Sequence, residues 1–267
     1  LVEQSLLRLE TSADGVMRFD LYDSIREFAA SQLLRTCAVC TADGASLTGV
    51  EAHRAQQRRH ARYYSTFGHA ESMARLQGRS GAQHLATMAR ELPNFTAAYQ
   101  LTPSDDEPEL VDAPGYAALS AAMVLLRTGQ THTALPILEQ AWKARGIGIA
   151  LGAQLGSSLG VCCRMLGRMD QAIETITTAL ASIPADMLPA QQAKLLQHLG
   201  NMTRQQGDFV TAQESLHRYC AIATWEKKDL MLNGWRWTTK TTQQVYNVYP
   251  IYDWLTEDIW RFHSAHP

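Results

Sequence analysis

The chain has 267 residues, of which 46% are hydrophobic and 19% charged, and its 24 basic and 26 acidic side chains leave a formal net charge of −2. That balance excludes the strongly basic footprint of a dedicated nucleic-acid binder, leaving room for a local patch, and the apolar content excludes bulk disorder. No apolar run reaches the ~18 residues of a membrane helix, and no signal-peptide pattern opens the chain. Five sparse cysteines fit a reducing cytoplasm better than a secreted disulfide scaffold. The first residue is Leu1 and not Met, so a fragment of a longer protein is expected.

Ser5 to Glu10 reads as a strand, Ser12-Ala13-Asp14-Gly15 as a turn, and Val16 to Leu21 as the return strand, because Asp-Gly between apolar runs is a strong hairpin cue. Asp23 or Ser24 then caps a helix, with Glu27 at capping-box spacing from Ser24. Ile25, Phe28, Ala29 and Leu33 recur at helical spacing as its apolar face. Residues 41–49 are rich in Gly, Ala, Ser and Thr and read as a loop. Long helices are expected over 51–74 and 81–101. Residues 102–114, with Ser104-Asp105-Asp106-Glu107-Pro108, read as a linker and a domain boundary.

A repeat occupies 115–223. Gly129, Gly167 and Gly207 are each followed five residues on by Ala134, Ala172 and Ala212, and then by Leu138, Ile176 and Leu216. Ala141 and Ala179 extend the pattern, and Tyr219 breaks it in the third unit. Seven residues before each glycine stand Ala122, Gly160 and Gly200. Self-similarity at this period marks a helical-repeat array. The small residues let paired helices approach closely, and each glycine ends the first helix in a left-handed cap. One such pair cannot bury its apolar face, whereas stacked pairs can. These residues resemble tetratricopeptide repeats in a forty-residue form, with Pro184 at the family's closing proline. The expected fold is therefore all-α, a tetratricopeptide-like solenoid of helical hairpins.

Residues 224–267 hold five of the six tryptophans: Trp225, Trp235, Trp237, Trp254 and Trp260. Ile251, Trp254, Leu255, Ile259 and Phe262 line up as one helical face opposite Asp253, Glu257 and Asp258. A cap on the last repeat, a docking segment and an unrelated tail all fit this pattern.

The segments "LVEQSLLRLE…RFDLYDSIREFAASQL", "RRHARYYSTF" and "ELPNFTAAYQ" resemble the region after the nucleotide-binding module of bacterial STAND-class signal-transduction ATPases. These are NB-ARC-type transcriptional regulators with a winged helix and tetratricopeptide repeats. The resemblance implies a winged-helix remnant over 1–40, a helical connector over 48–101, and a role in signal transduction and transcription regulation. It places the family's nucleotide-sensing triplet on Leu21, Tyr22 and Asp23. Tyr22 departs from the family's histidine, and Asp23 serves equally as a helix cap. No G-x-x-x-x-G-K-[ST] occurs, and Gly78-Arg79-Ser80-Gly81 lacks its lysine and spacing. The chain is expected to bind no nucleotide by itself, and the ATPase module of the parent protein is an implied partner.

No catalytic constellation is present, so the chain is not expected to be an enzyme, and no cofactor is expected. Cys37, Cys40 and His53 imitate the start of a zinc finger, but His60 follows His53 at too wide a spacing. No metal is expected, and Cys162, Cys163 and Cys220 read as small core residues. Arg54, Arg58, Arg59, His60 and Arg62 form a basic cluster on one helix. With the winged helix it offers a DNA-binding module as an alternative function; a solvated or module-packing face is the other account.

The first helix of each tetratricopeptide repeat lines the concave surface. Counting from the glycines puts Arg127, Gln154, Arg164, Lys194, Gln197, Asn201 and Arg204 on that face. Arg127, Arg164 and Arg204 read as a basic ladder that favours an acidic peptide or a chain carboxylate, or as three exposed arginines that keep the surface soluble. The function expected is a non-catalytic sensor and protein-interaction arm of a STAND-type regulator, with a free-standing adaptor as a further alternative.

Overall fold

The computed structural model describes residues 7–11, 17–35, 38–40, 46–76, 80–101, 110–144, 146–232, 238–240 and 246–248. Two compact units divide it, Leu1–Leu151 and Gly152–Pro267. The described residues are overwhelmingly helical and form tetratricopeptide-like hairpins.

In the first unit, β1 (Leu7–Thr11) pairs antiparallel with β2 (Met17–Leu21), Leu9 opposite Phe19. The hairpin is within two residues of its sequence expectation. Helix α1 (Asp23–Arg35) follows. Of its expected apolar face, Phe28 is 63% exposed and Ala29 is exposed, Ile25 is half-buried, and the Leu33 side chain lies outside the described residues. Strand β3 (Ala38–Cys40) precedes the expected 41–49 loop and pairs antiparallel with β4 (Ser46–Thr48), which falls inside it.

The two long connector helices are each broken. Helix α2 (Gly49–Ser65) ends in a single 3-10 turn, Thr66–Gly68, before α3 (Ala70–Arg75). Gly68 lies against the backbone of Tyr116, where any β-carbon would collide with the Tyr116 carbonyl. A continuous regular helix is thus interrupted by a tertiary contact that only glycine permits. Helices α4 (Gly81–Arg90) and α5 (Leu92–Tyr99) replace the second long helix, with Pro93 in the first turn of α5, where its missing N–H costs nothing. Helix α5 packs on α2, and both pack on α6 (Ala113–Arg127). Their core contains Ala61, Ala98, Leu110, Ala113 and Ala117, with Tyr64, Tyr99 and Leu101 against it. Leu110 and Ala113, in the expected linker, are therefore core residues; 102–109 lie outside the described residues.

Helices α6 and α7 (Thr131–Trp142) make the first hairpin. Helix α8 (Ile149–Met165) begins at the end of the first unit. In the second unit α8 pairs with α9 (Met169–Ala181), and α10 (Pro189–Gln206) pairs with α11 (Phe209–Leu232). Helix α9 also packs on α10, so the second and third hairpins stack. Short strands β5 (Thr238–Lys240) and β6 (Tyr246–Val248) pair antiparallel. The remaining tail, including Ile251, Trp254, Leu255, Ile259 and Phe262, lies outside the described residues.

The three hairpin turns are built alike. Gly129, Gly167 and Gly207 have φ of 80°, 75° and 86°, the left-handed region that glycine enters without a β-carbon penalty. One residue later the N–H of Gln130, Arg168 and Asp208 donates to the carbonyl of Leu125, Cys163 and Thr203, at 2.7, 2.9 and 3.0 Å. This is the six-to-one bond of the Schellman cap, which satisfies a carbonyl the helix end leaves open.

Candidate interaction face

The sequence places its candidate site on the first helices of the repeats, and their register follows from the capping glycines. Arg127, Arg164 and Arg204 each fall in the last turn of α6, α8 and α10, where a cation also complements the negative end of the helix dipole. All three are exposed. They are not in one register, however. The N–H of the capping glycine bonds to the carbonyl of Arg164 in the second hairpin and of Arg204 in the third, at 3.0 and 3.1 Å, but to that of Leu126 in the first. Arg127 is one residue, or about 100° of helix rotation, off the row. It also belongs to the other compact unit.

In the second unit Lys194, Gln197, Asn201 and Arg204 are exposed along α10, and Gln154 is half-buried on α8. Nine residues before each glycine are Ser120, Ser158 and His198. Ser120 and Ser158 are buried, and the Ser120 hydroxyl donates back to the Tyr116 carbonyl at 3.0 Å. A hydroxyl satisfied within its own helix suits such a position. In the third hairpin the same position carries an imidazole. His198 is half-buried, and its Nε2 is shut off from solvent without a hydrogen-bond partner among the described residues.

The cost falls on its charged form. Burial, then the cations of Lys194 and Arg164, push the His198 pKa down from 6.5 to about 4. Lys194 lies one turn before His198 on α10, whereas Arg164 comes from α8. The first helices of two successive repeats thus bring cations to one imidazole. The sequence reading missed His198, although aligning the repeats on their glycines exposes a histidine in a serine position.

The other candidates are dispersed. The Tyr22 carbonyl accepts the Ile25 N–H at 2.9 Å as α1 begins, and the ring is exposed; Asp23 opens α1, its side chain outside the described residues. In the basic cluster Arg54, Arg59 and Arg62 are exposed and Arg58 is half-buried. His60 is drawn into the connector packing: its ring centroid lies 4.5 Å from that of Tyr64, and Nε2 is 3.4 Å from the Asn94 Oδ1. Cys37 lies outside the described residues, among which no group of three or more His, Cys, Asp or Glu side chains is placed to hold a metal ion. Cys162 and Cys163 are fully buried in α8.

Cavities also open among the described residues. One of about 600 Å³ lies between α9 and α11, bordered by Thr177, Leu180, Ile183, Gln192, Arg218 and Ile222. Another of about 340 Å³ in the connector contains His69, Ser72 and His84. There the Ser72 Oγ and His84 Nε2 are 3.1 Å apart, tying α3 to α4, while Glu71 accepts from Arg75 at 2.8 Å. No helix among the described residues is long and apolar enough to cross a membrane.

No family model and no curated protein matches the chain. Among solved structures it is similar to BtubC (BKLC) from P. vanneervenii, at 16% identity and a TM-score of 0.49 over 84% of this chain and 78% of that one. It is also similar to MamA (AMB-1), at 18% identity and a TM-score of 0.34 over 61% of this chain and 99% of that one. At these values neither neighbour supplies a function, and the repeat architecture rests on the hairpin geometry of the chain itself.

Proposed function

We propose that the chain is a non-catalytic protein-interaction arm, and that its repeats hold an acidic protein or peptide segment along the first-helix face. The observation that carries this is that Arg164 from α8 and Lys194 from α10 are both exposed and that the charges of both act on one imidazole, that of His198. Two cations on neighbouring helices suit a carboxylate better than either does alone. The exposed amides of Gln197 and Asn201 on the same helix supply donors for a peptide backbone.

The finer reading is a cytoplasmic sensor arm of a STAND-type bacterial transcriptional regulator. Its support is the order of elements: a β-hairpin leading into a helix, a helical connector with the "RRHARYYSTF" and "ELPNFTAAYQ" segments, then repeats. In that mechanism a ligand on the repeats shifts the parent protein between off and on states by binding one of them better.

The test is fluorescence-anisotropy titration of the whole chain with a labelled peptide of alternating Glu and Ala, beside its Lys-Ala counterpart. The acidic peptide is expected to bind and the basic one not. Arg164→Glu is expected to weaken binding at least tenfold, a loss of about 1.4 kcal/mol. Equal binding by the variant would remove the face from consideration.

A further inference from the structure

His198 feels both cations of the proposed binding face, and it occupies a position that the other repeats fill with a buried serine. A neutral imidazole tolerates this place, but a protonated one faces Lys194 from its own helix and Arg164 from α8. Both named charges that act on the ring are positive. Its Nε2 has no partner among the described residues, so none of their acceptors stabilises a proton on that nitrogen.

An anion seated at Arg164 and Lys194 changes that balance. It cancels the repulsion that keeps the ring neutral, and favours the imidazolium by direct attraction. Because linkage is reciprocal, a ligand that raises proton affinity is itself bound more tightly when protons are abundant. We propose that the Arg164–Lys194–His198 corner takes up an anionic group together with a proton, making this face a pH-sensitive site for acidic ligands. The inference rests on the acidic-ligand reading above and adds proton coupling to it. Its physical basis is the replacement of a small, buried hydroxyl by a larger titratable ring that feels two like charges.

The magnitude is bounded. If the bound anion restored the ring to the ordinary histidine value, affinity would rise about tenfold between about pH 8 and pH 5.5. Partial relief of the repulsion, with burial unchanged, lowers the gain to about twofold. Peptide glutamates remain largely ionised in this window.

The experiment measures affinity of the whole chain for the same Glu-Ala peptide at about pH 8 and pH 5.5. Isothermal titration in buffers of different ionisation enthalpy counts the protons taken up. The expected result is a two- to tenfold tighter complex at the lower pH with net proton uptake, a slope lost in His198→Gln and in His198→Ser, the residue of the other repeats. Histidine resonances in the unliganded chain give a second readout. The His198 titration is expected to move upward in Arg164→Gln and in Lys194→Gln, whether or not the imidazole variants fold well. Binding without pH dependence, an equal slope in the His198 variants, or an unmoved titration would each overturn the proton coupling and leave the acidic-ligand reading standing. No binding by the native chain at either pH would overturn both.

Discussion

A β-carbon on Gly160 would stand 2.6 Å from both Cδ1 and Cγ1 of Ile176. This is the crossing point of α8 and α9, and the chain repeats it at α10 and α11, where a β-carbon on Gly200 would lie 2.7 Å from the Leu216 Cγ. In the first hairpin the matching position is Ala122, fully buried with Ala134 and Leu138. Small residues at these points set how closely the two helices of each hairpin approach.

The two glycine contacts differ in how easily they yield. Ile176 is fully buried and β-branched, whereas Leu216 is half-buried. Gly160→Ala is expected to lose about 1–2 kcal/mol, overpacking outweighing the better helix propensity of alanine. Gly200→Ala is expected to stay within about 1 kcal/mol of native, since the leucine has room to turn. Urea unfolding of both variants decides this. Combining Gly160→Ala with Ile176→Ala is expected to cost less than the sum of the two, because the new methyl occupies vacated space.

The capping glycines present the opposite case. Nothing stands within 4 Å of a β-carbon added to Gly129, Gly167 or Gly207, so their substitution meets only backbone strain. Each Gly→Ala change is expected to cost about 1–2 kcal/mol, and Gly→Asn less, because asparagine tolerates the left-handed region better. Thermal unfolding of the Ala and Asn pair at Gly167 checks the order.

Acid should weaken the fold through His198. Its folded pKa of about 4 lies below the ordinary 6.5, so the unfolded chain takes the proton first. The contribution is fully present above about pH 6.5 and falls away as pH drops to about 4, by roughly 3 kcal/mol in all. Stability against pH for the native chain and His198→Gln should differ in slope over that window and run parallel above it. Parallel curves throughout would show that the ring is solvated in the folded chain.

The loop between the second and third hairpins depends on one amide. The Gln192 Nε2 is 2.8 Å from the Pro184 carbonyl, 3.0 Å from that of Met187 and 3.4 Å from that of Ala185. Gln192→Ala should destabilise the second unit by about 1 kcal/mol. It should also speed amide exchange in the adjoining Ile183–Met187 turn. Leu188 in the same loop has a φ of 53°, and Leu188→Asn is expected to relieve part of that strain without changing the hairpins.

The repeat hairpins were legible because their signals are local. A glycine at a helix end adopts a left-handed cap for reasons contained within one turn of chain, and three such glycines with alanines at fixed offsets mark three hairpins. The β1–β2 hairpin was readable for a similar reason, from apolar runs flanking Asp14-Gly15. The break at Gly68 was not, because it comes from the Tyr116 backbone, 48 positions away. Nor does composition mark Leu110 as core when a Pro-containing acidic stretch precedes it; its burial depends on α2 and α5.

The candidate face divides in the same way. The chain's order alone places Arg164, Lys194 and Arg204 on first helices at set distances from their glycines. The same count from the glycines puts His198 in a serine position and Arg127 one residue off the row; what only the tertiary structure decided is that the His198 Nε2 is closed off from solvent and that its ring feels the charges of both Lys194 and Arg164. Charge and periodicity are properties of single segments. The loss of solvation that turns a histidine into a proton-linked group exists only once neighbouring helices have closed over it.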